Sequence, residues 1–385
     1  MADSTGGAGA ALATAARACA ATMVVALPTF WSMLQIGAWW RPPLNAIVFA
    51  VMLGLSLPRA LVRPTWRQLP RAVALFALAC AAAVGCSMLL ALDDCWRAVA
   101  ALLFSLGVAV PVWLRRFGIA WRNAGTVASL PFMAVLVQPL PADPTWGFLG
   151  WTLLAAAVAL AWALLVRALT PTEPERPPVR PPQAGLEPST SVRGPTPAVG
   201  DRAGGGTSKS RAPAARRGGL ARMPASARMA VQLGLATILA FAAAQALDPD
   251  HLVWPVLTVL VVTSANRGRR DVLAKGAQRL AGALAGTGIA AVVCNFFKPG
   301  DAAALVALFA VMALAAALRP FGYAFWAAGM TACLVFLYGY FGQSGLDLLG
   351  HRLIGILAGG ALAIAAAWFV LPVRQRRDAS GGPQR

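Results

Sequence analysis

Residues 251–288 read HLVWPVLTVLVVTSANRGRRDVLAKGAQRLAGALAGTG. Behind Trp254-Pro255 the chain is almost wholly apolar as far as Ala265. A basic stretch follows, with Arg267, Arg269, Arg270 and Lys275, and from Arg279 the sequence returns to alanine, leucine and glycine. Two apolar runs joined by a short cationic segment form the pattern of consecutive membrane helices whose connection stays on the positively charged side. Within the second run, Gly282 and Gly286 stand four apart, the spacing that lets two helix backbones approach closely.

The rest of the chain repeats this texture. Of its 385 residues 58% are hydrophobic and 12% charged, where a soluble domain carries about a quarter charged residues. A net charge of +19 would suit a nucleic-acid binder, but the cations sit in short clusters between long apolar segments, which argues against nucleic acid as a partner. The first apolar stretch, Ala18–Ala38, has only Arg17 close before it and lacks a small-residue cleavage site. It reads as a first span and not as a signal peptide. Cys19, Cys80, Cys86, Cys95, Cys294 and Cys333 make no metal-binding spacing and read as packing residues, with Cys95 alone near a loop.

About 20 apolar residues cross the hydrocarbon core. The first half offers spans at 15–38, 43–58, 72–92, 97–114, 119–140 and 147–169. The second offers 227–247, 251–265, 279–297, 301–318, 322–342 and 351–373. The fold class is therefore an all-α membrane protein of about twelve transmembrane helices. The shortest spans, 43–58 and 251–265, are candidates for tilted, re-entrant or longer helices. Between the halves, Pro171–Pro224 holds eleven prolines and eight glycines; such a segment cannot bury enough surface to fold and is expected to be disordered.

Charge sorting orients the array. With the N-terminus in the cytoplasm, all of the 33 lysines and arginines except Arg41, Arg97, Lys298 and Arg352 fall inside. Asp93, Asp94, Asp143, Asp248, Asp250, Asp301 and Asp347 fall outside. This places a cytoplasmic N-terminus at 1–13, a first six-helix repeat at 14–169 and a basic cytoplasmic linker at 170–224. A second six-helix repeat at 225–373 and a cytoplasmic tail at 374–385 follow. The inner basic loops face anionic lipid. Six spans per half is an even number, so the repeats run parallel, related by an axis along the membrane normal. Arg116-Phe117-Gly118-Ile119-Ala120 matches Pro320-Phe321-Gly322-Tyr323-Ala324, and Arg71 matches Arg279.

On these residues the second half resembles the fusaric acid resistance-like family, which includes the aromatic acid exporters. The resemblance rests on the Trp254-Pro255 helix start, the basic loop, and Arg279, Gly282, Gly286 and Thr287. It also rests on His351-Arg352 with Gly355, Gly359 and Gly360, ending at Leu371-Pro372. It is clear over 225–373 and faint over 14–169, and the threonine is displaced from its usual place. The resemblance implies a bacterial inner-membrane exporter of aromatic or other organic acids, distantly akin to plant malate channels whose six-span subunits pair around an anion path. Family members often carry a cytoplasmic domain between the halves, a place taken here by the linker.

The residues themselves point the same way. Apart from Asp301 at the outer end of one, the expected spans contain no Asp, Glu or Lys, which disfavours a cation transporter or a carboxylate proton relay. Candidate substrate contacts are Arg279 at the inner mouth, Arg352 with His351 at the outer mouth, and the aromatic residues Trp254 and Tyr323, with Trp326, Tyr338 and Tyr340 beside them. Guanidinium binds carboxylate bidentately. The same arginines also read as topology anchors, and the aromatics as an interfacial belt. His251 and His351 lie where a proton-coupled exporter would exchange protons.

An anion channel, or a membrane component of an envelope pathway that transports nothing itself, remains open. A major-facilitator transporter fits less well, because Asn266 stands where that family's basic loop expects Asp. There is no GxSxG, P-loop or HExxH motif, so no catalytic residues, cofactor or metal are expected. A periplasmic adaptor and a homo-oligomer are compatible partners.

Overall fold

Several helices begin where a polar cap or a proline meets an apolar run. Asp93 accepts a hydrogen bond from the Trp96 backbone N–H, and Asp301 from that of Ala303, the side-chain caps that satisfy first-turn donors. Pro70 sits in the first turn of its helix, where its missing N–H costs nothing. In the computed structural model the described residues are 4–40, 42–61, 65–137, 145–170, 223–247, 253–263, 269–294, 296–340 and 347–371. They form twelve α-helices and no strand.

The helices are α1 (Ser4–Trp40), α2 (Leu44–Leu61), α3 (Leu69–Leu90), α4 (Asp94–Leu114), α5 (Ile119–Val135) and α6 (Trp146–Leu169), then α7 (Ala225–Leu247), α8 (Val253–Thr263), α9 (Arg269–Cys294), α10 (Ala302–Leu318), α11 (Tyr323–Tyr340) and α12 (Asp347–Phe369). Eight of them (α1, α2, α3, α4, α6, α7, α10 and α12) are long and apolar enough to cross a membrane, and α8 and α11 are shorter apolar helices. The chain divides into two units, residues 1–169 with 224–385 and residues 170–223. The linker beyond Thr170 and before Met223, together with Arg41, His251, Arg267 and the tail, lies outside the described residues.

Two boundaries differ from expectation in a way that matters. Helix α9 starts at Arg269, ten residues before the expected span, because Arg, Leu, Ala and Lys continue a helix readily and Asp271 lies in the first turn, where the helix dipole favours it. Arg279 therefore lies well inside a 26-residue helix and not at its start. Helix α8 has only 11 residues, about 16 Å at 1.5 Å per residue, which is half of a hydrocarbon core.

The packing is that of a bundle in lipid. Large side chains such as Leu102, Leu106, Leu284, Val292, Leu314 and Leu357 face outward, while α2 and α8 are buried along nearly their whole length. Helix α4 packs on α7, and α10 on α1. Each of these two seams holds an edge-to-face phenylalanine pair, Phe104 with Phe241 and Phe30 with Phe309, with centroids 5.5 and 5.0 Å apart. After α4 and after α10 comes the same punctuation, a 3-10 turn (Arg115–Phe117 and Arg319–Phe321) followed by glycine. Gly118 has φ +113°, a conformation other residues rarely adopt.

Candidate functional site

Small residues bring four helices of the second half together. A Cβ at Gly286 would collide with the Ala328 backbone of α11, and one at Gly282 with Ala327. A Cβ at Gly355 would meet the Trp254 Cβ at 2.6 Å, and one at Gly359 would meet Pro255 O and Thr258. The glycines of α9 and α12 thus seat those helices directly on α11 and α8.

Two arginines are buried where these helices meet. Arg279, on α9, is 9% exposed. Its Nε donates to Thr258 Oγ1 of α8 at 3.2 Å, and its Nη1 to the Tyr323 hydroxyl of α11 at 3.3 Å. Arg352, on α12, is 5% exposed. Its Nη2 donates to Thr331 Oγ1 at 3.2 Å, and its guanidinium lies over the Trp254 ring with 4.6 Å to the centroid. Tyr323 and Thr331 are eight residues apart on α11, so the two sites lie at levels about 12 Å apart along that helix.

The Trp254 side chain is 3% exposed, and its indole N–H has no hydrogen-bond partner among the described residues. A buried donor left unpaired is costly, and here it adjoins a guanidinium. The sequences of α8 and α11 carry no acidic residue, and the one in α9, Asp271, lies in its first turn.

Of the five residues expected to contact substrate, the structure pairs Arg279 with Tyr323 and Arg352 with Trp254. His351 is exposed; successive helix residues point about 100° apart, and Arg352 takes the buried side. Trp326 has two cations against its ring, Arg319 at 4.8 Å and Arg59 at 5.6 Å from the ring centre. Thr258 and Thr331 were not singled out from sequence. Hydroxyls in apolar helices usually bond their own backbone, and their role shows only once an arginine from another helix arrives.

Residues 239–366 match the family model described as fusaric acid resistance protein-like. That stretch holds Trp254, Thr258, Arg279, Tyr323, Thr331 and Arg352, both arginine sites complete. The fusaric acid resistance-like region runs from within α7 to within α12, inside the half where the resemblance was clear. No curated protein and no solved structure matches the chain. The chain is a multi-pass helical membrane protein with a region similar to that family.

Proposed function

We propose that this protein is a secondary exporter of aromatic or other organic acids, built as two parallel six-helix repeats in a bacterial inner membrane with both termini cytoplasmic. The observation that carries the reading is the unpaired Trp254 N–H beside the buried Arg352 guanidinium. A carboxylate accepts from both, and the indole face suits an aromatic ring. Arg279, with Tyr323 and Thr258, supplies a second cationic level in the same half. The family match supports transport and not catalysis, and its name refers to an aromatic carboxylic acid. The repeat is supported by the packing of α4 on α7 and α10 on α1 and by the matching turns before Gly118 and Gly322.

The steps follow from the donors. A weak acid ionised in the cytoplasm meets Arg279, passes to Arg352 and Trp254, and leaves as protons are exchanged near the outer face, where His351 is exposed. A second reading also has an observation behind it: each arginine already bridges helices through a threonine hydroxyl, so both can serve as struts.

Proteoliposomes holding the full chain and preloaded with labelled benzoate separate the two. Export predicts saturable efflux that a proton uncoupler changes and that falls at least about tenfold in Arg352→Gln, the loss of one good charged hydrogen-bonded contact. Unimpaired efflux in a well-folded Arg352→Gln protein would assign the arginine to bridging. Current that follows the anion gradient regardless of the uncoupler would favour a channel.

A further inference from the structure

The α4–α7 seam contains a cavity of about 50 Å³ that no residue of the two arginine sites above lines. Its walls come from both halves, and its polar lining is Arg115, Ser129 and Thr263. The hydroxyl of Ser129 donates to Thr126 O at 2.9 Å, and that of Thr263 to Val259 O at 2.6 Å. Each hydroxyl has one proton, so neither has one left for a ligand. The Arg115 Nε, by contrast, is buried with no hydrogen-bond partner among the described residues. The donor facing this space is thus a guanidinium.

Among the described residues of the helices that line the cavity, no carboxylate stands near to balance it. Among α4, α5, α7 and α8 the acidic residue is Asp94, at the opposite end of α4, about 30 Å away along the helix. Arg122 adds a second positive charge whose field reaches Arg115. The other seam shows how such a turn is closed. There Arg319 lies over Trp326, which Arg59 also covers while donating to Thr22. Four residues beyond the turn glycine the second half has Trp326, and the first has Arg122. Arg115 therefore lacks the ring that occupies its counterpart.

We infer that this cavity is a carboxylate subsite of the transport path, with Arg115 as its cationic donor. The inference rests on the exporter reading. The volume admits a few waters or a carboxylate head, and not a whole aromatic acid. Helix α8 connects it to the sites already described: Thr263 faces the cavity and Thr258 faces Arg279. Five residues separate them, about 7.5 Å along the axis and 140° around it. An anion released from Arg115 reaches Arg279 by passing around one helix.

The test places a cysteine in the cavity, Ser129→Cys in the full chain, and reads modification at position 129 by peptide mass. An anionic sulfonate thiol reagent should react about tenfold faster than its trimethylammonium counterpart, as expected of one nearby unscreened charge. Benzoate should slow the reaction and benzyl alcohol should not. Adding Arg115→Gln should remove both the charge preference and the protection. Thr263→Cys repeats the measurement from the opposite wall if Ser129→Cys folds poorly. Rates indifferent to reagent charge, or unchanged by Arg115→Gln, overturn the proposal. So does protection by added phosphatidylglycerol with none by benzoate, which would make the cavity a lipid-headgroup site. Benzoate efflux without protection at position 129 removes this subsite and keeps the exporter. Protection without efflux keeps a carboxylate site and removes the exporter.

Discussion

The Arg352 guanidinium carbon lies 4.6 Å from the centre of the Trp254 ring, across the contact between α12 and α8. Gly355, one turn along α12, permits that approach, since any Cβ there would strike the Trp254 Cβ. A planar guanidinium can stack on indole and still bond Thr331, whereas a Lys ammonium is a point charge without the fork. Arg352→Lys should therefore keep the charge and lose the geometry. The stacking is worth about 1–2 kcal/mol when desolvated, so benzoate efflux should fall about tenfold while expression is retained. Wild-type efflux in Arg352→Lys would show that charge alone suffices there.

Gly286 offers a test of packing that is independent of substrate. A Cβ at this position would collide with the Ala328 carbonyl on α11, while one at Gly288 meets nothing within 4 Å. Overpacking of a close interface costs about 1–3 kcal/mol. Gly286→Ala should lower the melting temperature in detergent by several degrees, and Gly288→Ala, which gains helix propensity without a clash, should not lower it. Equal melting of the two variants would mean that α9 and α11 are not in backbone contact.

The glycine spacing in α9, the apolar runs and the basic clusters were all legible in the sequence, because lipid imposes one rule on every span: bury the backbone and keep charge at the ends. The length of α9 was not legible. Arg269, Arg270 and Lys275 look like a loop when charge marks the end of a span, yet nothing in them breaks a helix until tertiary packing decides. Arg279 and Arg352 were recognisable as unusual cations, but their partners Thr258 and Thr331 lie 21 residues from them in each case, and such contacts are set by how α8, α9, α11 and α12 cross. Arg115 could not be distinguished from Arg116 in sequence. Only the fold shows Arg116 lying over Trp113 while Arg115 borders a cavity.

Tyr323 separates positioning from binding. Its hydroxyl accepts from Arg279 Nη1 at 3.3 Å, a contact that holds the guanidinium toward α11. Loss of one such bond costs about 1 kcal/mol. Tyr323→Phe should raise the KM for benzoate about three- to fivefold with little change in maximal rate, because Arg279 keeps its bond to Thr258. Arg279→Gln should lower the maximal rate itself. If Tyr323→Phe and Arg279→Gln behave alike, the tyrosine acts on substrate directly.

The orientation in the membrane can be read from native cysteines. Among the described cysteines, Cys80, Cys86 and Cys333 are buried, Cys19 is half-buried, and Cys95 is exposed in the first turn of α4. The proposed orientation, read from charge sorting, predicts that the α3–α4 connection, with Asp93 and Asp94, faces the periplasm. The neighbouring Arg97 is held there by Asp94 at 3.1 Å, a surface pair that contributes little energy but keeps the one cation of this turn matched with an acid. A membrane-impermeant maleimide added to spheroplasts should therefore label Cys95 without lysis, and Cys95→Ser should abolish that signal. Labelling that appears only after lysis would invert the topology. It would put Arg352 and Trp254 at the cytoplasmic level and Arg279 at the outer one, and the order in which an exported acid meets them would reverse.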